Sequence, residues 1–345
     1  MSLKIALVHD YLNEFGGAER VLLALSEIWP EAPIFTAFCR KRSETEKRFK
    51  GKKIITSWAQ KIPWFSKKLY SPLRFLASKI WGSLEKQLAD YDVIISSSSW
   101  YITKGLHKNE ICYCHTPPRW LYGYATSQDL QKYWLVRVYA IVVGHFMRLY
   151  DFKQAQKVKL FVANSEEVKQ RIWKFYRRES EVIYPPVDLP KLKKLKRLDY
   201  YLIVSRPVGG KGIEMGLAAA KKYGFNLKVV GGGDVSDEEL VKLYSQAKAF
   251  LGLSKDEDFG ITPVEAMSCG TPVIAFNGGG YKETVVNGKT GILFDDCSVK
   301  GLWQAMKKFD KFHYRTMQKN CIEQAKKFSK ERFKKEIKEL VERNA

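Results

Sequence analysis

The chain has 345 residues, 45% of them apolar, enough for roughly two domains of 100–200 residues with a core in each. No uninterrupted apolar run reaches the ~18 residues of a membrane-spanning helix, and the six cysteines (Cys39, Cys112, Cys114, Cys269, Cys297, Cys321) form neither a CxxC pair nor a metal spacing with His, so they read as reduced, structural thiols. The net charge is +22, and between Arg40 and Lys86 alone 14 Lys or Arg stand against three Glu; a field of that size favours an anionic partner, whether phosphorylated substrate, membrane surface or nucleic acid.

Taken in chain order, short apolar runs alternate with amphipathic stretches. Residues 4–8 enter a strand with no leader peptide ahead, which places the chain in the cytoplasm as an expectation. Further strands are predicted over 32–38, 53–57, 92–96, 110–114, 160–164 and 181–184, with helices over 17–29 and 166–176. Pro185-Pro-Val-Asp-Leu-Pro190 and the basic run 191–197 read as a linker. A second alternation follows, with strands over 200–205, 227–230, 249–253 and 272–276 and helices over 212–223, 237–248 and 262–268, and the chain closes on a charged amphipathic helix over 328–342. The outline is α/β, with two Rossmann-like domains facing a cleft. The boundaries are 1–188 for the first, joined by 327–345, and 189–326 for the second.

Glu257-Asp-Phe-Gly-Ile-Thr-Pro-Val-Glu265 sets two carboxylates, seven residues apart, where a strand ends and a short helix begins. Open α/β sheets bind ligands at such places, and a polar, hydroxyl-rich ligand fits this one. The same residues also read as a capping box, with Thr262 as N-cap, Pro263 at the first helical position and Glu265 reaching back to an amide; one carboxylate could serve both roles. Ser205-Arg206-Pro-Val-Gly-Gly-Lys211-Gly212 leaves a strand and opens a helix, where cations and amides stabilise negative charge developing on a leaving diphosphate. Gly16-Gly17, in the loop after the first strand, permits close backbone approach to a ligand, or makes an ordinary turn. His115 ends the 110–114 strand, with Pro117 and Pro118 forbidding helix just beyond, and is either a ligand contact or a structural histidine. Asn164-Ser165-Glu166-Glu167 is an N-cap.

Together these motifs resemble the retaining nucleotide-sugar glycosyltransferases of family 4, which have the GT-B fold, and the resemblance covers most of the chain. It implies that Arg206 and Lys211 hold the donor diphosphate and that Gly16, Gly17 and Gly279 of the Gly278-Gly-Gly280 loop lie against sugar and phosphates. It further implies Glu257 on the sugar hydroxyls, with Phe259, Gly260 and Ile261 beside it, Glu265 on the ribose, His115 on the sugar's far side, and a terminal helix crossing back to the first domain. The His115-Thr-Pro-Pro-Arg-Trp120 version is most similar to mannosyltransferases of bacterial O-antigen and exopolysaccharide assembly, which use GDP-mannose. Gly231-Gly-Gly-Asp234 stands where the family approaches the base but departs from it in detail, leaving the base open. Asp256-Glu-Asp258 offers the Asp-x-Asp by which other glycosyltransferases bind a metal; here the cations would replace it, so no metal and no cofactor are expected.

Trp64, Phe65, Lys67 and Lys68 combine aromatic and basic character, the composition of an interfacial anchor. From Leu69 on, Leu73, Leu76, Ile80 and Leu84 fall at helical spacing and read as a helix packed on its own domain. The expectation is a peripheral enzyme on the anionic inner membrane face, meeting a lipid-linked saccharide acceptor. Two rivals are a GT-B nucleotide-sugar epimerase and a basic nucleic-acid binder. Neither RNP-like aromatics nor a zinc finger supports the latter, and no nucleic-acid partner is expected.

Overall fold

Val, Ile and Leu in unbroken runs suit strands covered on both faces, the condition of an all-parallel sheet. The computed structural model describes residues 3–124, 133–190, 195–205, 210–231 and 235–344, apart from the side chain of Lys68. The chain forms two compact units, the first running to Tyr124, from 133 to Tyr184 and again from Lys334, the second spanning Pro185 to Phe333.

In the first unit the strands are β1 (Ile5–His9), β2 (Ile34–Thr36), β3 (Ile54–Thr56), β4 (Val93–Ser98), β5 (Glu110–Cys114), β6 (Leu160–Ala163) and β7 (Ser180–Val182). They pair parallel in the order β3-β2-β1-β4-β5-β6-β7, with Leu7 between Ile34 and Ile95. The helices are α1 (Gly17–Ile28), α2 (Glu44–Arg48), α3 (Ala77–Gly82), α4 (Glu85–Leu88), α5 (Trp134–Lys157) and α6 (Glu166–Tyr176). Ser165 caps α6, its Oγ accepting from the amide of Val168 at 3.1 Å. The continuous helix expected beyond Leu69 is broken: a π-helical turn, Phe65–Leu69, and a 3₁₀ turn, Arg74–Leu76, precede α3. Pro72 lies at the break, where it lacks the amide a helix needs. Ile80 and Leu84 still reach the core beside Trp81, and Leu73 and Leu76 pack against it.

The second unit holds β8 (Tyr201–Val204), β9 (Leu227–Val230), β10 (Ala249–Gly252), β11 (Val273–Phe276) and β12 (Gly291–Phe294), parallel in the order β12-β11-β10-β8-β9. Its helices are α7 (Ile213–Tyr223), α8 (Asp237–Gln246), α9 (Ile261–Ser268), α10 (Tyr281–Thr284), α11 (Val299–Phe309) and α12 (Tyr314–Lys326). Leu251, Ile274, Leu302 and Met306 lie in its core. The last helix, α13 (Lys330–Asn344), begins on the second unit, where Lys330 pairs with Asp188 at 3.0 Å. From Lys334 on it belongs to the first, held by Lys334 to Glu27 and Arg343 to Glu181. Among the described residues no helix is long and apolar enough to cross a membrane.

Candidate active site

Chain order in the second sheet reverses between β8 and β10, so the segments after these strands share its switch point, where α/β sheets take their ligands. Lys211 comes from the first segment and Glu257 from the second, and they meet with Nζ 2.8 Å from Oε2. Tyr281, at the start of α10, donates its hydroxyl to the same oxygen at 3.3 Å. Burial first, then the Glu257 charge, push the Tyr281 pKa well above its ordinary value, so the phenol stays a donor. The glycine loop is packed onto the backbone of the acidic motif. The amide of Gly280 donates to the carbonyl of Glu257 at 2.9 Å, and a Cβ at Gly279, where φ is +54°, would stand 2.2 Å from that carbonyl. The amide of Gly278 turns to Phe276 instead, so the loop steers Glu257 by contact.

Several expected positions are revised. Helix α9 starts at Ile261 rather than at Pro263, with Gly260 as its N-cap in the left-handed region at φ +89°, so Thr262 lies inside the first turn and caps nothing. Glu265 is buried deeper in α9 and accepts from the Tyr244 hydroxyl at 2.9 Å, which replaces the capping box by a bond between helices. Phe259 is buried, its ring edge-on to Phe328 at 5.4 Å between centroids, rather than open to a ligand. Arg206 and Gly232–Gly233–Asp234 lie outside the described residues. Among the described residues no group of three or more His, Cys, Asp or Glu could hold a metal ion.

The first sheet reverses between β1 and β4, and here the polar groups form a relay. Glu19 in α1 accepts from the amide of Gly16 at 2.8 Å and stands 3.5 Å from His9 Nε2. His9 Nδ1 lies 3.0 Å from Ser97 Oγ, which lies 2.8 Å from His115 Nε2. Asn164 closes the chain by donating to the carbonyl of His115. The Gly16-Gly17 loop and His115, read separately from the sequence, are thus joined through three side chains the sequence did not single out. Burial opposes ionisation of Glu19, yet the hydrogen bond and charge of His9 and the Gly16 amide outweigh it and hold its pKa below the ordinary value. Ser97 has a single hydroxyl proton, so it donates to one of the two imidazoles and accepts from the other, which links their orientations. Asp10, just beyond β1, is spent on structure, accepting from the amides of Ser99 and Trp100 and from Thr103.

The surface candidates divide. Trp64 is 72% exposed and Lys67 is exposed, but Phe65 is 1% exposed, packed edge-on against Phe38 in the core. Phe65 therefore cannot touch a membrane; composition shows that aromatics cluster, not which one turns inward. The side chain of Lys68 lies outside the described residues.

Two all-parallel α/β units, each with its polar side chains at the strand-order reversal, have the architecture of the GT-B fold. Among solved structures, Anabaena Alr3699/HepE in complex with UDP and glucose matches with a TM-score of 0.72 at 16% identity, covering 99% of this chain and 100% of that one. The family model for Glycosyltransferase Family 4 matches residues 15–191, and that for Glycosyl transferases group 1 matches residues 189–328. The chain belongs to Glycosyltransferase Family 4. The serotype-specific mannosyltransferase WbdA of Escherichia coli is 29% identical over 133 residues, 38% of this chain and only 16% of WbdA, so the chain spans a small part of that relative. The alpha-1,3/1,6-mannosyltransferase ALG2 of Candida glabrata is 25% identical over 367 residues, 83% of this chain and 78% of that one.

Proposed function

We propose that the protein transfers mannose from GDP-mannose to a hydroxyl of a lipid-linked saccharide at the inner membrane face, with retention at the anomeric carbon. The observation that carries this reading is the Lys211–Glu257 pair at the switch point of the second sheet, in a family where two relatives are named mannosyltransferases. As the bond from the sugar to the diphosphate breaks, charge grows on the phosphate oxygens, and Lys211 with Arg206 stabilises it more in the transition state than in the ground state. Glu257, fixed by Lys211, Tyr281 and the glycine loop, orients the sugar hydroxyls, while Glu265 takes the ribose. In the first unit, His115 is the residue assigned to the donor sugar's hydroxyls, held by Ser97, which in turn meets His9. Retention follows if the acceptor oxygen attacks on the face the diphosphate leaves: the new C–O bond forms there, the old one breaks, and the acceptor proton passes to the leaving phosphate oxygen. No metal takes part.

A panel of nucleotide sugars, read by thermal stabilisation, tests the donor. A ligand at a hundredfold excess over its Kd adds about 2.7 kcal/mol, so GDP-mannose should stand out from UDP-glucose and the rest. A larger shift with a uridine donor would overturn the assignment. Products formed with and without acceptor separate transfer from epimerisation.

A further inference from the structure

We propose that α5 is the element that docks this protein on an anionic lipid surface. The inference rests on the lipid-linked acceptor proposed above and names the part of the molecule that would reach it. Helix α5 is apolar on both faces. Its inner side places Met147 in the core of the first unit, with Val143 and Tyr150 packed against the same cluster. Its outer side leaves Trp134, Val138, Ile141, Phe146, Leu149 and Phe152 exposed, three of them heavily: Trp134 at 69%, Ile141 at 68% and Phe146 at 65%. At 3.6 residues per turn these six fall within an arc of about 140° and run for about 27 Å. The inner apolar face is covered by the core of its own unit, and the outer one is left to bury elsewhere. His145, Lys153 and Gln156 are exposed within the same arc, and so large a share of exposed apolar side chains on one helix face of a monomer marks an interaction surface.

Charge selects the occupant. Asp151 is the one acidic residue of α5, and it is buried, bonded to Lys104 Nζ and the Tyr122 hydroxyl. Arg137 lies beyond one margin of the apolar arc and Lys153 and Lys157 at the other, all three exposed. The Tyr139 hydroxyl donates to the carbonyl of Pro72, which seats α5 beside the basic stretch between Arg40 and Lys86. A second copy of a chain carrying +22 would set these cations against their own kind, whereas an anionic leaflet takes apolar side chains and cations together. The helix cannot leave the domain to span a bilayer, because Asp151 and the inner face pin it there. It lies on the surface, apolar arc downward.

The test uses the full chain and vesicles of phosphatidylcholine, with and without phosphatidylglycerol, in cosedimentation across a salt series, with sedimentation velocity run on the protein alone. The triple variant I141Q/F146Q/L149Q should lose binding by about a hundredfold or more. The triple variant R137Q/K153Q/K157Q should lose roughly a hundredfold on phosphatidylglycerol vesicles and show a shallower salt dependence. Leu217→Ser, at an exposed apolar position of the second unit, should bind like the wild type, and all three should melt like it because every substituted residue is exposed. Wild-type-like binding by the first triple, or binding indifferent to phosphatidylglycerol, overturns the proposal. So does a wild-type dimer that this triple dissociates without any vesicle binding, which would make the face an interface between copies. Because binding is read without donor or acceptor, failure of the transfer reading leaves this result standing, and failure here leaves the donor panel untouched.

Discussion

The two units treat buried charge differently. The first buries His9, Asp10, Glu19, Lys104, Glu110, Asp151 and Arg171, with His9, Asp10 and the Lys104–Asp151 pair tied to partners far along the chain; in the second, Glu265 is the one buried charged side chain among the described residues. The second unit instead positions Glu257 by a glycine loop laid on its backbone. The first site therefore depends on a buried hydrogen-bond chain, while the second depends on steric fit and on a partly exposed cation. Substitutions that act on one mode and not the other separate them.

Removing the cation should have the largest effect. Lys211→Ala is expected to cut turnover by about 100- to 1,000-fold while the melting temperature barely moves, since a partly exposed ion pair contributes little to stability. Near-normal turnover would detach the second site from the chemistry. Ser97→Ala strikes the relay instead. Both imidazoles lose a partner, and an orienting hydrogen bond of about 1.4 kcal/mol corresponds to about tenfold in rate. A Ser97→Ala variant with wild-type turnover would mean that the hydrogen-bond chain through Ser97 does not bear on transfer.

A third effect is on stability and leaves turnover unchanged. Burial pushes the Glu110 pKa up to about 7 from 4.5, against the pull of Ser96 and the Leu106 amide. Its folded form keeps a proton that the unfolded chain releases, so stability present below pH 4.5 is lost as pH rises to about 7, by about 3 kcal/mol in total. Glu19 has the opposite sign, its stabilisation vanishing only as pH falls through a folded pKa below 4.5. Denaturant melts of Glu110→Gln should lack the decline between pH 4.5 and about 7; a decline equal to the wild type's would place its source elsewhere.

What the sequence made legible follows the same division. Lys211 and Glu257 could be read because each stands at a strand-to-helix turn marked by glycine, and local pattern is what a sequence displays. His9, Ser97 and Glu19 could not, because 88 residues separate His9 from Ser97 and only the β1–β4 pairing brings them together. The start of α9 was misplaced because Gly260 supplies a left-handed cap with no side chain to announce it. Helix α5 escaped prediction for a related reason: with apolar residues on both faces it shows no single stripe at helical period. Tyr281 stood in plain view after the glycine run, but its reach to Glu257 depends on the loop folding back.

The central claim is metal-independent transfer of mannose with retention, driven by the Lys211–Glu257 site. It is tested most directly by incubating the protein with GDP-mannose and a lipid-linked saccharide in excess EDTA and determining the configuration of the new linkage by NMR. The account predicts continued transfer and an α-mannosyl linkage, the configuration of the donor. A β-linkage, or activity abolished by EDTA and restored by manganese or magnesium, would contradict it, the latter returning Asp256 and Asp258 as metal ligands.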